Sequence, residues 1–180
     1  NDEISGSPSN VGSLRVFRFD EGQDAYETEP AHMMIGALNS DNFGESVVIL
    51  GQGHVAGYAG FDDTLGPQAG RPYWGRLFTD EDGIESIESI ALAFPAEVGY
   101  ARFGAALDLD DIDVDGNLDV IVGASYLSPI DVPQTRAGGA FLYEITDIEG
   151  PALPRQELNG FRGHSGYDLV GEATKFIGDF

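Results

Sequence analysis

Residues 103–125 read FGAALDLDDIDVDGNLDVIVGAS. At the centre of this stretch Asp111, Asp113, Asp115 and Asp119 occupy positions 1, 3, 5 and 9 of a loop, with Gly116 at position 6. Carboxylates on alternate residues, ahead of a glycine that permits a sharp turn, converge on one point, which is how a hard cation with oxygen ligands is caged. Asn117, at position 7, supplies its backbone carbonyl in the same scheme. Two carboxylates held about 5 Å apart repel by roughly 0.8 kcal/mol in water. The folded loop therefore calls for a counter-ion, and Ca²⁺ is the expected one.

The same opening occurs in EF-hands, which also need a bidentate Glu at position 12 and a helix on each side. Position 12 is Val122, and the flanks carry strand patterns. Phe103, Ala105, Leu107 and Leu109 alternate with Gly104, Ala106, Asp108 and Asp110, and Val120-Ile121-Val122 is a β-branched run suited to burial on both faces. The stretch predicts strand, loop, strand.

Phe103-Gly104, Asp111 to Asp119 and Val122-Gly123-Ala124-Ser125 together resemble an FG-GAP repeat, the blade unit of integrin α-subunit β-propellers and of many secreted bacterial proteins. The departure is Ser125, where the family's pattern has Pro. The resemblance implies an all-β fold, a β-propeller of four-stranded antiparallel blades, with a Ca²⁺ loop joining the first two strands of a blade. It implies Asp111, Asp113, Asp115, Asn117 and Asp119 as the metal ligands.

Composition agrees with a globular all-β chain. The 25 glycines and 9 prolines in 180 residues call for many turns and short strands. No apolar run approaches the length of a membrane span, which excludes membrane insertion by a helix. The formal charge of −22 repels phosphate backbones, so nucleic acid is not an expected partner. Charge of this size fits either a high-salt environment or a secreted protein with an acidic surface. The absence of cysteine excludes disulfides and thiolate chemistry. Loop sites of this kind fill at the millimolar calcium found outside cells, which points to an extracellular, cell-surface or periplasmic location. Asn1 in place of Met fits a processed or truncated product.

In chain order, residues 1–20 read as the end of a blade, with Gly12 and Ser13 to Phe19 as a third strand. Residues 31–79 read as a degenerate blade: Ala31 to Leu38 as an outer strand, Asn42 to Leu50 as a second Phe-Gly strand, Gly51 to Gly57 as a loop without ligands, and Gly75 to Thr79 as a third strand. Phe43-Gly44 stands sixty positions before Phe103-Gly104, the interval of a propeller repeat. Asp62 and Asp63 read as a solvated turn, and Trp74 as packing at a blade junction. Residues 89–145 form the blade with the calcium loop, from an outer strand at Ser89 to Phe94 to a closing strand at Gly138 to Ile145. Residues 156–180 begin a further blade, with Val170 replacing Phe and Asp179 opening the next loop. Two complete and two incomplete blades imply a segment of a longer propeller, or one completed by partner subunits.

No catalytic site is expected. His32, His54 and His164 lack metal-binding spacing, and no nucleophile elbow, phosphate loop or dinucleotide fingerprint occurs. Tyr126 and Arg136 fall in a loop where a ligand can be met. The expected function is calcium-stabilised binding or assembly with a protein or glycan partner. The alternatives are the propeller of a secreted carbohydrate-active enzyme and a structural subunit of a larger complex.

Overall fold

The computed structural model describes residues 11–36, 42–50, 54–59, 68–79, 85–91, 100–128, 136–145, 161–175 and 177. They form twelve β-strands and no helix, so none of them crosses a membrane as a helix. The chain is all-β, with antiparallel sheets.

Strand β1 (Ser13–Val16) pairs antiparallel with β4 (His32–Ile35), in the register Leu14↔Met34. Between them β2 (Phe19–Asp20) and β3 (Ala25–Tyr26) make a short ribbon. Its turn is closed by the Asp20 carboxylate, which accepts from the Gly22 and Gln23 N–H groups at 2.8 and 3.2 Å. The strand expected over Ser13 to Phe19 therefore breaks after Val16, and Phe17 is exposed.

Two four-stranded meanders follow. The first comprises β5 (Phe43–Leu50), β6 (His54–Ala59), β7 (Arg71–Thr79) and β8 (Glu85–Ala91). The second comprises β9 (Phe103–Asp110), β10 (Leu118–Ala124), β11 (Gly139–Ile145) and β12 (Phe161–Arg162). The strand before each Phe-Gly pair bonds backward, β4 to β1 and β8 to β7. His54 to Gly57, expected in a loop, lie in β6, because the hairpin closes tightly at the pair Leu50↔His54. Strand β7 starts four residues before the expected Gly75 and contains Pro72. Pro72 lies beyond the last β7–β8 pair, Tyr73↔Ala91, so on that side no ladder needs its missing N–H. The readings at Asp62–Asp63 and Asp179 lie outside the described residues.

A backbone joint recurs three times. Phe43 N donates to Val11 O at 2.9 Å, Phe103 N to Ala69 O at 2.7 Å and Val170 N to Ala137 O at 3.1 Å. Each acceptor precedes a glycine in the left-handed region, Gly12 (φ 73°), Gly70 (φ 79°) and Gly138 (φ 78°). Each donor is followed by another, Gly44 (φ 94°), Gly104 (φ 110°) and Gly171 (φ 84°). A Cβ on Gly138 would meet the Val170 backbone, and one on Gly12 the Phe43 backbone. Only glycine combines that φ with so close an approach. Val170 thus takes the place held by phenylalanine in the earlier repeats.

The main core lies between the two meanders. Strand β9 packs against β5, β6 and β7, and Trp74 of β7 is buried with Phe103, Leu107, Leu109, Val120, Val122, Phe141 and Tyr143. The Phe103 and Phe141 rings meet edge-on at 5.8 Å, a favoured arrangement of aromatic quadrupoles. Burial extends to both faces of β9: Asp108, on its alternate face, is 2 % exposed and receives Lys175 Nζ on Oδ1 at 2.8 Å. Lys175 is the chain's single lysine and follows the third joint.

Candidate metal centre

The hairpin between β9 and β10 carries the carboxylate loop, and the pair Asp110↔Asp119 closes its base. Residues 111–117 are wound about Asp111. Its Oδ1 accepts from Asp115 N at 3.2 Å and its Oδ2 from Gly116 N at 3.0 Å. Asp115 in turn accepts from Asn117, at 2.8 Å from the backbone N–H and 3.1 Å from the side-chain amide. The turn expected at Gly116 is present at φ 92°, and Val114 also enters the left-handed region at φ 58°. A β-branched residue there is strained, and the Val114 side chain stands in solvent.

This winding brings one carboxylate oxygen from each of Asp111, Asp113 and Asp115 within 4.8 Å of one another. Oxygens bound to one Ca²⁺ at about 2.3–2.6 Å lie at most about 5 Å apart, so the spacing and the all-oxygen donor set suit a hard cation. Asp113 and Asp115 are exposed and Asp111 is partly covered, which leaves the group open on one side.

The other two expected ligands, Asp119 and Asn117, make hydrogen bonds within the loop. Asp119 is 1 % exposed and outside the converging trio, and its Oδ2 accepts from Ile112 N at 3.1 Å, latching the loop to the first residues of β10. Asn117 orients Asp115 through the two bonds above.

The histidines are dispersed. His32 lies on β4, His54 on β6, and His164 donates its N–H to Asp168 Oδ2 at 2.9 Å. Among the described residues, Asp111, Asp113 and Asp115 are the one group of metal-ligating side chains that converges. Sequence reasoning missed the buried Asp108–Lys175 pair, whose partners stand 67 residues apart. It also missed Arg102, which packs on Tyr126; neither pairing has a local signal. Compared with known proteins, the chain matches no family model and no curated sequence.

Proposed function

We propose that the chain is part of a calcium-stabilised β-propeller built from FG-GAP blades, and that it serves binding or assembly in an extracellular or cell-surface protein. Two consecutive meanders of equal strand number and the thrice-repeated joint support the propeller reading. The observation that carries the calcium reading is the approach of Asp111, Asp113 and Asp115 to within 4.8 Å on the hairpin between the first two strands of a sheet. Those three side chains would hold the ion, with Asp119 and the Asn117 carbonyl completing the set that the spacing implies. Bound there, the ion supplies charge neutralisation and no chemistry. The consequence is a rigid hairpin, hence a fixed rim on which contacts are made. Calorimetric titration of the chain with CaCl₂ tests this: one saturable event is expected, lost in Asp113→Ala, and the same heat in that variant would refute the assignment.

A further inference from the structure

The end of the second sheet opposite the carboxylate loop holds a different group of charges. Eight residues of β9 separate the two ends, about 26 Å at the usual rise of a strand. Here Arg136 places its guanidinium carbon 4.4 Å from the centre of the Tyr126 ring, and Arg102 places its own 5.1 Å from the same ring. Tyr126 is half-buried and held by its N–H on Ala101 O at 3.1 Å. Arg102 is tethered across the sheets, with Nη2 on Glu45 Oε1 at 3.1 Å. Arg136 is exposed, its backbone N–H on Ser128 Oγ at 3.3 Å, and no carboxylate among the described residues pairs with its guanidinium. The two cations lie within about 10 Å of each other, no more than a screening length in ordinary salt.

The repeated joint shows that these arginines are not required by the backbone. Arg102 (φ 50°) immediately precedes the Phe-Gly pair, where the first repeat has Asn42 (φ 52°). Arg136 (φ 50°) stands two residues before Gly138, where the first repeat has Gln68 (φ 51°) two residues before Gly70. Uncharged side chains satisfy the same left-handed positions, and asparagine is better suited to them than arginine. In a chain with 31 acidic residues against 9 basic ones, the second repeat nevertheless carries cations at both places, stacked on one ring. A guanidinium stacked on a ring keeps its in-plane N–H edge available to a planar acceptor.

We infer that Arg136, held over Tyr126 beside the Glu45-paired Arg102, forms a binding site for an isolated carboxylate, presented as an acidic side chain of a partner polypeptide. The surrounding charge selects against a polyanion, because a chain of formal charge −22 repels a dense row of sulfates or phosphates far more than one carboxylate. The open setting of Arg136 suits a protein surface better than a small molecule, which needs enclosure. This site lies far from the hairpin that would hold calcium and does not depend on it.

The test is NMR of the ¹⁵N-labelled chain, following the arginine Nε–Hε signals, with and without Ca²⁺. The probes are blocked pentaglycine peptides with a central aspartate or a central asparagine, a glycine peptide with a free C-terminal carboxylate, and a heparin oligosaccharide. The aspartate peptide is expected to shift Arg136 directly, and Arg102 through the shared ring, saturably near 1 mM, an affinity of the order the two parallel bonds of one bidentate guanidinium give. The asparagine peptide should shift neither. Arg136→Gln, which restores the residue type at Gln68, should weaken the response about tenfold while leaving the remaining spectrum in place. Equal shifts with the asparagine peptide, or no saturation by about 10 mM, would overturn the proposal. So would tighter binding of heparin, which would make the site a polyanion site, or of the C-terminal carboxylate, which would make it a chain-end receptor.

Discussion

Replacing Asp113 by asparagine should change stability in opposite directions with and without calcium. Three carboxylates lie within 4.8 Å of one another, and Asp113 takes part in two of the three pairs. Each pair near 5 Å costs roughly 0.8 kcal/mol in water, so the metal-free variant should gain about 1.5 kcal/mol at low ionic strength, and less as salt screens the charges. Asparagine keeps the shape and one acceptor oxygen, so the winding about Asp111 is retained. For a domain of this size each kcal/mol moves the melting temperature by about 2–4 °C, giving a rise of about 3–6 °C.

With 10 mM CaCl₂ and a dissociation constant of about 0.1 mM, mass action stabilises the wild-type chain by about 2.7 kcal/mol. A variant whose affinity falls about a hundredfold gains only about 0.4 kcal/mol from the same calcium. The two melting curves should therefore exchange order when calcium replaces EDTA. Thermal unfolding followed by circular dichroism, on both proteins in both buffers, measures this directly. If Asp113→Asn is the less stable protein in EDTA, or if the order is the same in both buffers, then carboxylate repulsion relieved by a cation does not govern this loop.

Two glycines of similar φ should respond differently to alanine. At Gly116 a Cβ meets nothing within 4 Å, so Gly116→Ala should cost only the left-handed penalty of about 1–2 kcal/mol in urea unfolding, whereas Gly138→Ala, which drives a Cβ onto the Val170 backbone, should cost clearly more. Burial pushes the Tyr143 phenol far above its ordinary range. Because the folded state holds that proton more tightly, the stabilisation is complete below about pH 10 and is lost above it at about 1.4 kcal/mol per pH unit; Tyr143→Phe should flatten this alkaline slope in pH-dependent urea titrations. Lys175→Met removes the cation from the buried Asp108 carboxylate and should cost about 1–2 kcal/mol, discounted because the lysine is largely exposed. Adding Asp108→Asn should recover much of that loss in a double-mutant cycle.

The hairpin between β9 and β10 was legible because its signals are local. Alternate carboxylates, one glycine and a β-branched run lie within a single short stretch, and the structure has the strand, turn and strand they predict. Trp74 was legible as packing for a similar reason, since a single large ring near a repeat boundary has more to gain from burial than from solvent. His54 to Gly57 was not legible as part of a strand. Its small residues and glycine carry little β preference, and pairing with β5 and β7 decides its conformation. Asp119 shows the limit of spacing rules, because its position fits a ligand set while its burial and its bond to the Ile112 N–H follow from the fold. The Arg102–Tyr126–Arg136 stack depends on three segments meeting at one rim, and no window of sequence contains all three.

The thrice-repeated joint is made wholly of main-chain donors and acceptors, with glycine the only side-chain requirement at its closest approaches. Neighbouring modules therefore dock through a connector that is indifferent to most of what they carry. A module can change its hairpin from ligand-rich to bare, or its rim from amides to guanidinium groups, without altering how it seats on the next. Such a connector lets modules be duplicated, exchanged or specialised independently, and the contrast between the Asn42–Gln68 and Arg102–Arg136 positions is that freedom seen within one chain.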